Sequence, residues 1–129
     1  MQFLVDTHAL LWFFTGNANL SDRVRNWMED SQHQKLISVA SAWEITIKQS
    51  QQKLTLPMTA ADYIQEKIQW ADFDLLPIDL NHFNVLYTLP FHHRDPFDRL
   101  LIAQAINQNI PILSKDKAFD SYPVQRYWN

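Results

Sequence analysis

Cysteine is absent from this chain, which excludes disulfides, thiolate catalysis and a Cys-ligated zinc site. Glycine is nearly absent, with Gly16 the single example. Phosphate-cradling loops of the Walker or dinucleotide type need several glycines for close backbone approach, so nucleotide cofactors held by those motifs are not expected. No stretch approaches the ~18 consecutive apolar residues of a membrane span, and no basic segment precedes an apolar run at the N-terminus. The expectation is a cytoplasmic protein with no membrane association. Positive charge is not in excess either. Lys and Arg number 11 against 14 Asp and Glu, for a net charge of −3, so no global field draws in a polyanion. Affinity for nucleic acid would have to be local, from metal ions and a few basic residues such as Arg94, Arg99, Lys115 and Lys117.

What is present is a core. The 129 residues are 47% hydrophobic and 13% aromatic, as expected of one folded domain over residues 1–129. Gln2 to Val5 reads as a buried strand, and the segment from Ala9 to Phe14 as a helix too apolar all round for a surface position. An amphipathic helix starts near Leu20 and carries Val24, Trp27 and Met28. Lys35 to Val39 is the second predicted strand, followed by a helix capped by Ser38 or Ser41 that carries Trp43, Glu44, Ile45 and Ile47. Thr59 caps a further helix with Tyr63, Ile64, Ile68 and Trp70. Phe73 to Ile78 gives a third strand, interrupted by Pro77. Asp79 or Asn81 starts a short helix, and Asp95, Pro96 and Asp98 open a strong one with an apolar stripe of Leu101, Ile102, Ala105 and Ile106. Ile110 to Leu113 is the fourth strand, and Val124 to Tyr127 is a candidate fifth. Strands alternating with helices predict a three-layer α/β/α fold around a parallel sheet of four or five strands.

Acidic residues fall at the ends of these elements. Asp6 follows the first strand, Glu44 is expected within the first turn of a half-buried helix, Asp98 begins the strong helix, and Asp116 follows the fourth strand. In an open parallel sheet, side chains at the carboxyl ends of strands converge on one crevice. Each acid also has an ordinary reading. Asp6 is a good N-cap, Glu44 can pair with Lys48 one helical turn on for only ~0.3–0.5 kcal/mol, Asp95 and Asp98 complement a helix dipole, and Asp116 suits a turn. Four such coincidences are better explained by one cause. Converging carboxylates repel one another unless a cation sits among them, and Mg²⁺ or Mn²⁺ is the simplest such cation. Asp98 is expected to be a ligand and Asp95 a cap or supporting residue. The remaining acids Glu29, Asp62, Glu66 and Asp72 fall on polar helix faces. The five histidines form no H-E-x-x-H motif; His92 and His93, close in sequence to Asp95 and Asp98, are either substrate contacts or plain surface loop.

In the ordered set QFLVDTHALLW, SVASAWEITIK, RDPFDRLLIAQA and PILSKDKAFDSY the chain resembles PIN-domain ribonucleases, in particular VapC-type toxins of bacterial toxin–antitoxin pairs. The resemblance spans nearly the whole chain. It implies metal-dependent cleavage of RNA and neutralisation by a small antitoxin protein, and a homodimer is expected with it. Asp6, Glu44 and Asp98 match the family's three central acids and Asp116 the more variable fourth. Thr7 and Ser114 match the small polar residues beside the first and last acids, and Asp95 lies in the Asp-Pro-Phe-Asp form of one subgroup; with Arg99 these are the expected supporting or substrate-contacting residues. Bulky Trp12, Phe13, Phe14, Trp27 and Met28 fit either a two-sided core or a partner face.

Two rival functions remain. A phosphoaspartyl enzyme of the dehalogenase kind would want a second Asp two residues after the first, where His8 stands, and a receiver would want an Asp where Val39 runs into Ala40 and Ser41. A non-catalytic module that uses the acidic edge to hold metal or a protein partner is compatible with the same residues.

Overall fold

A computed structural model describes residues 1–128. The strands are β1 (Gln2–Val5), β2 (Gln34–Ser38), β3 (Phe73–Leu76), β4 (Ile112–Leu113) and β5 (Arg126–Tyr127), and the helices are α1 (Thr7–Thr15), α2 (Asp22–Glu29), α3 (Val39–Ser50), α4 (Ala60–Trp70), α5 (Leu80–Thr88) and α6 (Pro96–Gln108). A 3₁₀ turn, Lys117–Ser121, links β4 to β5. All strands run parallel in the order β3-β2-β1-β4-β5. The sheet therefore has five strands, with β1 at its centre and the chain reversing direction of travel across it after β3.

Period-two alternation sends side chains to two cores. Phe3, Val5, Ile37, Phe73 and Leu113 meet Ala9 and Leu10 of α1, Val24 and Met28 of α2, Ile45 of α3 and Ile64 of α4. Leu4, Leu36, Leu76 and Ile112 meet Leu100, Leu101, Ile102 and Ala105 of α6, with Leu89, Phe119 and Tyr122. Helices on both faces of a parallel sheet give the three-layer α/β/α arrangement.

The predicted helix starts are real because each has an oxygen placed to accept an orphan N–H. Asp6, Ser21, Ser38, Thr59, Asp79 and Asp95 cap α1 to α6 in turn. Of the two serines considered for α3, Ser38 is the cap, and Ser41 lies inside the helix. Gly16 ends α1 at φ 68°, the left-handed conformation in which a Cβ would be strained.

Three expectations change. The strands are shorter than their apolar runs: β3 ends at Leu76, before Pro77, β4 holds only Ile112 and Leu113, and β5 starts at Arg126. Trp70 lies 76% exposed instead of within the stripe of α4. The bulky residues of α1 and α2 do not form an open patch, since Met28 is buried and Trp12, Phe13, Phe14 and Trp27 are half-buried against the first core. The exposed apolar side chains are elsewhere, including Leu80, Phe83 and Tyr87 on α5. No helix among the described residues is long and apolar enough to cross a membrane.

Leu101 is fully buried between α6 and the sheet, one turn beyond Asp98. Leu101→Ala is expected to cost about 2–5 kcal/mol through lost burial and a residual cavity, read as a fall in the denaturant midpoint; a change under ~1 kcal/mol would contradict this packing.

Candidate active site

The pairing of β1 with β4 brings the first and last acids together. Val5 is in register with Leu113, so Asp6 and Ser114 follow side by side at the carboxyl edge. Ser114 Oγ donates to Asp6 Oδ2 at 2.5 Å and accepts the Asp116 N–H at 3.0 Å. Asp6 Oδ1 accepts the Ala9 N–H at 2.7 Å. Its capping role and its place among the acids are thus compatible, because each carboxylate oxygen keeps a second lone pair. Thr7, also buried, donates to Ser41 Oγ at 2.9 Å and ties the start of α1 to α3.

Glu44 lies in the second turn of α3, not the first, because the helix already starts at Val39. Lys48 Nζ is 3.0 Å from its Oε2, the expected pairing one turn on. The other oxygen is different. Glu44 is 5% exposed, and its buried Oε1 has no hydrogen-bond partner. A buried carboxylate oxygen without a donor carries a large desolvation cost.

Asp95 caps α6, with Oδ1 accepting from Phe97 N at 2.8 Å and Asp98 N at 3.2 Å. That leaves the Asp98 carboxylate free of capping duty. Burial above all, and then the charges of Asp95, Asp6, Glu44 and Asp116, push the Asp98 carboxyl up to about 8. Asp6 is also raised, chiefly by burial, against the lowering effects of Ser114, the Ala9 N–H and His8. The acids from four distant segments therefore share one electrostatic neighbourhood.

Arg99 is held away from this chemistry. It is buried, donates to Leu89 O at 2.9 Å, and sits 4.1 Å from the Phe91 ring centroid. Its role in these contacts is to anchor the segment ahead of α6.

His93, left open between substrate contact and surface loop, joins the acids. Its Nε2 lies 3.2 Å from Asp98 Oδ2 and 3.3 Å from Asp116 Oδ2, and ligand atoms of the three residues fall within 4.8 Å of one another. Distance alone would make it a metal ligand. Its other nitrogen decides against that: Nδ1 accepts the Asp95 N–H at 3.1 Å. An accepting nitrogen carries no proton, so in the neutral ring the proton is on Nε2, which donates to Asp116. His93 is therefore a donor to Asp116, with Asp98 Oδ2 3.2 Å from the same nitrogen. The only sequence signal for this was its place two residues before the cap of α6.

The donor set fits a hard divalent cation. It consists of oxygen atoms, is under-neutralised, and includes one buried oxygen with nothing to accept from. Among the described residues only Asp98 and Asp116, with His93, bring ligand atoms within 4.8 Å of one another; Asp6 and Glu44 are near Asp98 by charge and would have to close on an ion to complete a four-carboxylate set. Asp6 and Asp116 also face a small open cleft together with His8, Trp12 and Lys115.

The family model for the PIN domain matches residues 3–125. No curated protein shows a significant match to the chain. Among solved structures, the chain is similar to VapBC2 from Rickettsia felis bound to a promoter DNA fragment (TM-score 0.73, 11% identity, 98% of each chain covered). It is similar to DNA-bound VapBC from Salmonella typhimurium (TM-score 0.73, 14% identity, 98% of this chain and 97% of that one). It also matches FitAcB from Neisseria gonorrhoeae (TM-score 0.70, 15% identity, 99% and 97%). At these identities the likeness is one of fold.

Two outcomes follow for the metal-free protein. A carboxyl whose folded pKa is raised binds its proton more tightly when folded, so its contribution to stability is complete below the unfolded value of ~3.9 and is lost as pH rises to about 8. Melting temperature should thus fall from pH 5 to 8 in EDTA, and fall less in Asp98→Asn; identical slopes would contradict the crowding at Asp98. For His93, two-bond ¹H–¹⁵N spectra of the neutral ring should show the Nε2–H tautomer, and an Nδ1–H pattern would overturn its assignment as a donor.

Proposed function

The chain belongs to the PIN domain family, and from that premise we propose that it is a metal-dependent endoribonuclease of the VapC type, the toxin of a toxin–antitoxin pair. The observation that carries this reading is the unpartnered, buried Glu44 Oε1 in a neighbourhood of carboxylates at the sheet edge. The ion pair with Lys48 occupies only the other oxygen of Glu44, which leaves this one able to accept a cation. The similar structures include VapBC from two bacteria and a toxin–antitoxin complex from Klebsiella pneumoniae, which supports a small antitoxin as a partner. A second copy of this chain is the other proposed partner.

Asp6, Glu44, Asp98 and Asp116 are the proposed ligands of Mg²⁺ or Mn²⁺, which would lower the pKa of bound water and neutralise charge on the phosphate under attack as the ribose oxygen leaves. The protein's own work is orientation. Ser114 and the Ala9 N–H fix both oxygens of Asp6. Lys48 takes one oxygen of Glu44 and leaves the other facing inward. Asp95 relieves Asp98 of capping, and His93 steadies Asp116. Thr7 and Ser41 lock the two helices that carry the first two acids.

Purified protein incubated with labelled cellular RNA should give discrete fragments with Mg²⁺ or Mn²⁺ and none with EDTA. Asp6→Asn and Asp98→Asn should each reduce the rate by at least about 100-fold, an amount typical for loss of a group stabilising charge in the transition state, while keeping a cooperative unfolding transition. Equal cleavage by the variants would sink the assignment.

A further inference from the structure

Lys48 brings a fixed positive charge to the acid group. It lies one turn beyond Glu44 on α3, with Nζ 3.0 Å from Glu44 Oε2. The carboxylate is buried and its other oxygen has no donor, whereas the Lys48 side chain is 34% exposed and keeps its head in reach of water. The neighbouring acids are served by uncharged donors. Asp6 has Ser114 Oγ and the Ala9 N–H, and Asp116 has His93 and the Ala118 N–H. Among the described residues, Lys48 is the one lysine or arginine that forms an ion pair with Asp6, Glu44, Asp98 or Asp116. Its neutralisation of Glu44 is incomplete, since the Glu44 charge is still felt at Asp98.

An ammonium and a divalent ion cannot serve one carboxylate independently. Both are drawn to Glu44, and each repels the other. Even at the dielectric of bulk water, a +1 and a +2 charge about 6 Å apart lose roughly tenfold in affinity, and a half-buried setting screens them less. Against this stands the help that Lys48 gives by holding the carboxylate in one orientation, which is the smaller effect because burial already restricts Glu44. In the ion-free protein the balance has the opposite sign. There the ammonium is the charge that compensates a buried carboxylate, and removing one partner of such a pair strands the other.

We propose that Lys48 is a resident cation that holds Glu44 in the ion-free protein and weakens binding of the divalent ion, so that ion concentration controls loading of the site. Lys48 is thus a positioning residue that acts through Glu44. This role rests on the ion site proposed above and adds what regulates its filling.

The test uses Mn²⁺ alone, with affinity read by titration calorimetry and stability by melting temperature. Lys48→Met should tighten Mn²⁺ binding about tenfold, and Lys48→Gln, a second uncharged variant should the first fail to fold, should do the same. Lys48→Arg keeps the charge and should stay within about twofold of the parent. Lys53, exposed just past α3, controls for net charge; Lys53→Met should change affinity by less than about twofold. In EDTA, Lys48→Met should lower the melting temperature by at least about 3 °C. With saturating Mn²⁺ that deficit should shrink or reverse, which loss of a merely structural contact would not produce. Unchanged or weaker Mn²⁺ binding in the uncharged variants, an equal gain in Lys53→Met, or the same melting deficit with and without Mn²⁺ would overturn the role of Lys48. Absence of Mn²⁺ binding in parent and variants alike would overturn this role and the ion site together. Metal-dependent RNA cleavage with Mn²⁺ affinity unchanged in Lys48→Met would overturn the role of Lys48 alone; tighter Mn²⁺ binding in a protein that cuts no RNA would uphold it and sink the nuclease reading.

Discussion

Mutual repulsion among carboxylates at the carboxyl edge of the sheet is the constraint on which this site depends. Register between β1 and β4 sets Asp6 next to Ser114 and Asp116, α3 brings Glu44 into the same neighbourhood, and the start of α6 adds Asp98. At Asp98, burial first and the neighbouring carboxylates second push the carboxyl up to about 8, so its placement disfavours the charged form. The two hydrophobic cores hold the strands and helices where the charges would not settle by themselves. Marginal overall stability makes such a concentration of like charge tolerable only with a packed scaffold beneath it.

The chain limits that repulsion with donors that leave coordination capacity intact. Ser114 and a helix N-terminus serve Asp6, Lys48 serves one oxygen of Glu44, and His93 serves Asp116. Asp95 spends its own carboxylate on the N–H groups of α6, so that Asp98 does not have to. The Asp95 N–H in turn sets the tautomer of His93. One backbone turn thereby positions two acids and a histidine, and a hydrogen bond from backbone to imidazole distinguishes a supporting donor from a ligand.

A net charge of −3 would disfavour a polyanionic substrate if charge were spread evenly. Locally the balance differs: Lys115 stands on the cleft beside Asp6 and Asp116, its Nζ 5.8 Å from the Trp12 ring centroid.

The sequence by itself determined the layers, the parallel sheet and the helix starts, because apolar periodicity and capping oxygens are local properties. It also determined which acids to inspect: Asp6, Glu44, Asp98 and Asp116 each stand at an element end that the pattern locates. What lay beyond it was set by contacts between distant segments. The cap assigned to Asp6 and its place in the acid group could not be separated until β1 met β4, 108 residues separating Asp6 from Ser114. Glu44 read as a half-buried ligand that could also pair with Lys48, and only the tertiary structure shows which of its oxygens is paired and which is left alone. Trp12 read as core or partner face, and its position on the cleft wall depends on where Lys115 arrives. His93 carried no motif, since its role comes from one backbone N–H and two acids supplied by a fold, and hydrogen-bond geometry between segments is a property of tertiary structure alone.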